Sequence, residues 1–139
     1  MKKLLFLILC TTTLGLVSCK KDTIINETTP NRTFVYTIKP GDWELSNDKL
    51  SYTATLNVGE IDNITLDDEG VLVYLTHPLN SSGYIQVPFT FDTNAYSYEL
   101  YKGGIKIDIQ SSDYQEAAPI KPTTSMTAKI VVIPSNFQP

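Results

Sequence analysis

The chain has 139 residues, of which 11 are Lys or Arg and 15 are Asp or Glu, giving a formal charge of −4. That length suits one domain rather than two. The acidic balance argues against nucleic acid as a partner, because such binding rests on neutralising phosphates with Lys and Arg.

Met1-Lys2-Lys3 is a positively charged start, and Leu4 to Val17 is mostly apolar. A membrane-spanning helix needs roughly 20 apolar residues, so this run is too short and matches a secretory signal peptide instead. Its end carries no A-x-A-like cleavage site and reads Leu16-Val17-Ser18-Cys19, which resembles the lipobox of bacterial lipoproteins. The resemblance implies that residues 1–18 are removed and that the Cys19 thiol receives a diacylglyceryl group, with further acylation of the new N-terminus. Two or more acyl chains anchor a protein stably, whereas one holds it only marginally. Lys20-Lys21-Asp22 resembles the start of many lipoproteins of the Bacteroidetes. Lysine rather than aspartate after the cysteine implies transport to the outer membrane, on its periplasmic face or at the cell surface.

Removing Lys2 and Lys3 leaves nine basic against fifteen acidic residues, a mature charge of −6. Cys10 leaves with the leader and Cys19 is acylated, so the mature domain has no thiol for a disulfide and its stability must come from its core. Residues 19–32 read as the lipidated N-terminus and a polar tether, ahead of a domain over 33–139. The stretch Lys20–Arg32 reaches at most ~45 Å when extended and about 20 Å as a coil.

From Thr33 onward the apolar residues recur with period two. Thr33–Lys39 is a first strand, and a short strand over Trp43–Ser46 turns at Asn47-Asp48 into a longer one. There Leu50, Tyr52, Ala54 and Leu56 share a buried face, and Trp43 and Leu45 share a core-facing phase. Thr65 to Gly70 reads as one helical turn, with a threonine cap, acidic residues and a closing glycine. Val71–His77 is apolar on both faces at first, as in a central strand.

Ile85, Val87, Phe89 and Phe91 form one further alternation, in which Pro88 favours an edge or a bulge. In the clearest hairpin, Tyr96, Tyr98 and Leu100 face Ile105, Ile107 and Ile109 across Lys102-Gly103-Gly104, and the two glycines supply positive φ. Met126, Ala128, Ile130 and Val132 make a closing strand that ends at Pro134. Seven or eight strands result, which predicts an all-β fold: an antiparallel two-sheet β-sandwich, immunoglobulin-like or related.

Pro40-Gly41-Asp42-Trp43, Gly70-Val71-Leu72-Val73-Tyr74, Val87-Pro88-Phe89 and Lys129-Ile130-Val131-Val132-Ile133 together resemble a group of small Bacteroidetes lipoproteins with no assigned activity. The resemblance spans most of the domain and implies a lipid-anchored β-sandwich. It carries over no catalytic residue, because its landmarks are strand cores and turns.

His77 is the only histidine, and neither a base partner nor zinc-ligand companions accompany it, so it reads as a surface residue. Asp62, Asp67, Asp68 and Glu69 either gather a calcium ion or serve the helical turn, and their spacing does not match an EF-hand loop. Trp43, Tyr84 and Tyr101 either form a stacking platform for a sugar or divide between core and strand ends. Ser111 to Ser125 is the longest connection, either a binding loop with Tyr114 as its aromatic anchor or a plain crossover between sheets. The expectation is a non-catalytic, cofactor-free interaction or structural module of the cell envelope. It is held to the membrane through Cys19, and its partner is an envelope protein or a glycan.

Overall fold

A computed structural model describes residues 29–112 and 119–135. It contains β1 (Arg32–Ile38), a 3-10 turn (Pro40–Asp42), β2 (Trp43–Leu45), β3 (Ser51–Asn57), α1 (Asn63–Asp68) and β4 (Gly70–His77). Then follow β5 (Asn80–Gln86), β6 (Phe89–Phe91), β7 (Asn94–Tyr101), β8 (Gly104–Ser111) and β9 (Met126–Ile133). Four strands form one sheet in the order β1-β9-β4-β5, and five form the other in the order β2-β3-β8-β7-β6. Every pairing is antiparallel. The expected two-sheet sandwich is therefore present, with nine strands in place of seven or eight.

One core lies between the sheets. β9 contributes Met126, Ala128, Ile130 and Val132, β4 contributes Val71, Val73 and Leu75, and β8 opposes them with Ile105, Ile107 and Ile109. Fully burying one such side chain stabilises the fold by about 1.5–3 kcal/mol. A hydrogen bond also ties the layers: Tyr98 on β7 donates its hydroxyl to the Val71 carbonyl on β4 at 2.8 Å. Burial pushes the Tyr98 phenol pKa up, so the group stays a donor across the ordinary pH range.

Several local expectations give way to tertiary context. The run from Ile85 to Phe91 is not one strand. β5 closes the four-stranded sheet, Val87 donates its N–H to the Val73 carbonyl at 2.8 Å, and after the cis Val87–Pro88 bond the chain enters β6 in the other sheet. Pro88 thus stands between two edge strands, where a missing N–H leaves no ladder bond unmade. Leu50 is 45% exposed in the turn before β3, and Leu45 is 41% exposed although Trp43, in the same phase, is buried. β2 is only three residues long and lies at a sheet edge, so its second inward position is not covered.

At the β7–β8 turn only Gly103 has positive φ (92°). Gly104 is needed for a different reason, because a Cβ there would lie 2.4 Å from both the Leu56 carbonyl oxygen and Tyr101 Oη. Thr65 does not cap α1. Asp62 does, accepting the Thr65 N–H at 2.9 Å, and this bond is the main cause that draws its carboxyl pKa down. Thr65 is instead buried, its hydroxyl within reach of the Glu60 carbonyl (3.1 Å) and the Glu69 carboxylate (2.6 Å). Gly70 opens β4 rather than closing the helix, whose C-cap is Glu69 in extended conformation.

Candidate functional site

The strand directions give the sandwich two distinct ends. β1 begins at Arg32, β4 begins at Gly70 and β9 finishes at Ile133, all at one end, and α1 lies there too. Arg32 forms an ion pair with Glu69 at this root, fastening the first residue of β1 to the end of the helix region. The opposite end carries the β4–β5 turn, the β6–β7 turn and the segment leading into β9, and a cleft of about 160 Å³ opens between them. Root and cleft stand apart by the length of the eight-residue β9, roughly 26 Å.

Three stretches of chain build the cleft. Pro78 comes from the β4–β5 turn, Phe91, Asp92, Asn94 and Tyr96 from β6, the β6–β7 turn and β7, and Met126 from β9. Ile120 to Thr124 form the remaining wall. Asn94 holds that wall in place: its buried side-chain amide accepts the Ile120 N–H at 3.2 Å and donates to the Ile120 carbonyl at 3.4 Å. Ser112 N–H also donates to the Thr93 carbonyl at 2.7 Å, joining the end of β8 to the same turn.

Asp92 and Thr93 both lie in the left-handed region, at φ 45° and 63°. A two-residue hairpin loop with both residues at positive φ follows the twist of its strands, and Asn-Gly is the pairing that adopts it most easily. Burial raises the Tyr96 phenol pKa, a hydrogen bond with Asn94 opposes the shift, and the Asp92 carboxylate adds to it. Tyr96 thus remains protonated beside the acidic turn, with its ring stacked on Phe89 at 4.5 Å between centroids.

Of the two readings of the aromatic residues, the structure supports the one that puts Trp43 in the core, and no stacking platform is assembled. Trp43 is 2% exposed inside the core, Tyr84 lies on the outer side of β5, and Tyr101 ends β7 in the other sheet. The indole N–H of Trp43 has no acceptor among the described residues. His77 is half-buried rather than on the surface. Its Nδ1 accepts the Leu79 N–H at 3.0 Å, and its ring meets Phe91 edge-on at 5.0 Å, so it buttresses the residue that lines the cleft.

Of the acidic group, Asp62 caps α1 and Glu69 pairs with Arg32. Among the described residues no three His, Cys, Asp or Glu side chains gather where they could hold a metal ion. Cys19 and Tyr114 lie outside the described residues, as does 113–118 of the long connection.

Two features escaped the sequence. The first is the cleft's own polar set, Asp92, Asn94, Lys121 and Thr123. Its trace in the sequence is Asp92-Thr93-Asn94 between two aromatic runs, a composition suited to a tight turn. The second is the contrast between the outer faces of the two sheets. The five-stranded sheet turns polar residues outward, with Thr53 donating to Asp108 at 2.5 Å. The four-stranded sheet turns out Val35, Leu72 and Val131, and Lys129 sits over the rings of Tyr74 (4.4 Å) and Tyr84 (4.7 Å).

Compared with known proteins, the chain matches no protein-family model, no curated protein and no solved structure. Among the described residues no helix is long and apolar enough to cross a membrane.

Proposed function

We infer that this chain is a lipid-anchored binding module of the bacterial cell envelope, held at the outer membrane through Cys19 and acting without catalysis. The observation that carries the reading is the placement of the cleft at the end of the sandwich opposite the root at Arg32. With Leu16-Val17-Ser18-Cys19 supplying the anchor, the tether joins the domain at its root, the end opposite the cleft, and so leaves the cleft free of the attachment point. A rigid sandwich with a small cleft at its distal end suits capture of a partner. His77, the histidine of the chain, packs edge-on against Phe91 and is not among the residues that line the cleft.

The experiment is metabolic labelling with a fatty-acid analogue in a bacterium that processes lipoproteins. Cys19→Ala should abolish labelling and accumulate an unprocessed precursor. Equal labelling of this variant, or a mature N-terminus at any residue other than Cys19, would overturn the anchor.

A further inference from the structure

The cleft's size and chemistry define what it accepts. A volume of about 160 Å³ is well below that of a pocket for a drug-sized ligand. It matches a cavity of about 150 Å³ that holds one benzene ring. One six-membered ring is therefore the right scale.

The lining decides what kind of ring. Phe91, Tyr96 and Met126 offer an apolar floor, suited to carbon–hydrogen faces. Asp92, Lys121 and Thr123 offer an acceptor, a donor and a group that does both. A purely apolar ring would strip water from these groups and return no hydrogen bond, which is unfavourable. One acidic and one basic residue, Asp92 and Lys121, line the cleft, so it carries no net charge to draw a phosphate or carboxylate. A neutral polyhydroxylated ring satisfies both halves of the wall, since each hydroxyl can donate and accept.

The strained turn points the same way. Thr93 is β-branched and sits at φ 63°, an outlier for such a residue, and Asp92 precedes it at 45°. Strain of this kind persists where the surrounding structure holds it, and binding sites are a frequent setting. We propose that the cleft formed by Phe91, Asp92, Tyr96, Lys121 and Thr123 binds the terminal residue of a neutral glycan. This deepens the binding-module reading and rests on it.

The test is an array of glycans ending in neutral hexoses, deoxyhexoses, N-acetylhexosamines or uronic acids, probed with the full-length chain purified in detergent. Binding should be confined to neutral termini. Asp92→Asn and Thr123→Val should each weaken it about tenfold or more, the scale of one hydrogen bond to a charged or buried group. Asparagine adopts left-handed backbone readily, so Asp92→Asn keeps the turn, and an unchanged melting temperature verifies this. Lys129→Ala, on the outer side of the other sheet, should bind as the wild type does. An array with no bound glycan, binding confined to uronic acids, or binding that survives both cleft substitutions would overturn the assignment. None of these results touches Cys19 labelling, so the cleft and the anchor fail separately.

Discussion

Ile107→Ala is expected to remove about 2–5 kcal/mol of folding stability, the range for deleting a large aliphatic side chain from a close-packed interior. Ile107 is fully buried at the middle of β8, opposite Ala54 on β3 and Tyr98 on β7. Its neighbours cannot close the resulting void cheaply. β8 is held on both sides by ladders, and Tyr98 is fixed by its hydrogen bond to Val71. Lys106→Ala, one residue earlier and facing out, should change stability by no more than about 0.5 kcal/mol. Denaturant midpoints for the two variants, compared at a common slope, make the measurement. Equal losses would mean that β8 is not the inner strand described.

Gly104→Ala should cost about 1–3 kcal/mol, the usual penalty for forcing a methyl group into filled space. The obstacles differ in kind. Tyr101 Oη is the end of a side chain and can swing away, but the Leu56 carbonyl belongs to the β3 backbone. Moving that oxygen disturbs the register in which Leu56 faces Ile105 and Asn57 faces Gly104. Gly103 is held on the same side, since its N–H donates to the Ile61 carbonyl at 2.7 Å and its carbonyl accepts from Val58 at 2.9 Å. Gly41→Ala is the control. A Cβ at Gly41 meets nothing within 4 Å, so its melting curve should overlay the wild type within about 0.5 kcal/mol. A neutral Gly104→Ala would show that the turn retreats from β3 without loss.

The strands that could be read from residues alone were those with strict alternation and a turn on each flank. Tyr96–Tyr98–Leu100 against Ile105–Ile107–Ile109 is the plainest case, and the register pairs them as expected. β9 was equally legible, because every second residue is apolar from Met126 to Val132. β5 was only half visible, since Asn80 to Gly83 are polar or small and belong to an edge strand that buries little. The change of sheet at Pro88 left no mark in the pattern. Ile85 and Phe89 keep the same inward phase although they serve different sheets, so one alternation concealed two strands. The helix cap was misplaced by three residues for a related reason. Asp62 and Thr65 are both good caps in isolation, and only the burial of Thr65 decides between them.

The site was less legible than the fold. Its residues come from three separated stretches, and period-two analysis reports which face a residue takes, not which loops converge at one end. Phase alone places Trp43 in the core, and the structure keeps it there. The rings that line the cleft, Phe91 and Tyr96, belong to plain strand alternations, and nothing in that pattern marks them as part of a site.

The position of β9 has a consequence for how the protein is made. Arg32 pairs with Val132, one hundred residues later, and β9 separates β1 from β4 in the sheet. Every strand of the five-stranded sheet has been synthesised by Ser111, whereas β1 and β4 acquire their shared neighbour only with the last strand. A chain delivered N-terminus first therefore completes one layer early and leaves the apolar faces of β1 and β4 waiting for the other. Such long-range closure is slow relative to local hairpins. Ribosome stalling, or premature termination anywhere before β9, yields a half-built sandwich with an open interior, a substrate for chaperones and proteases rather than a shorter working protein.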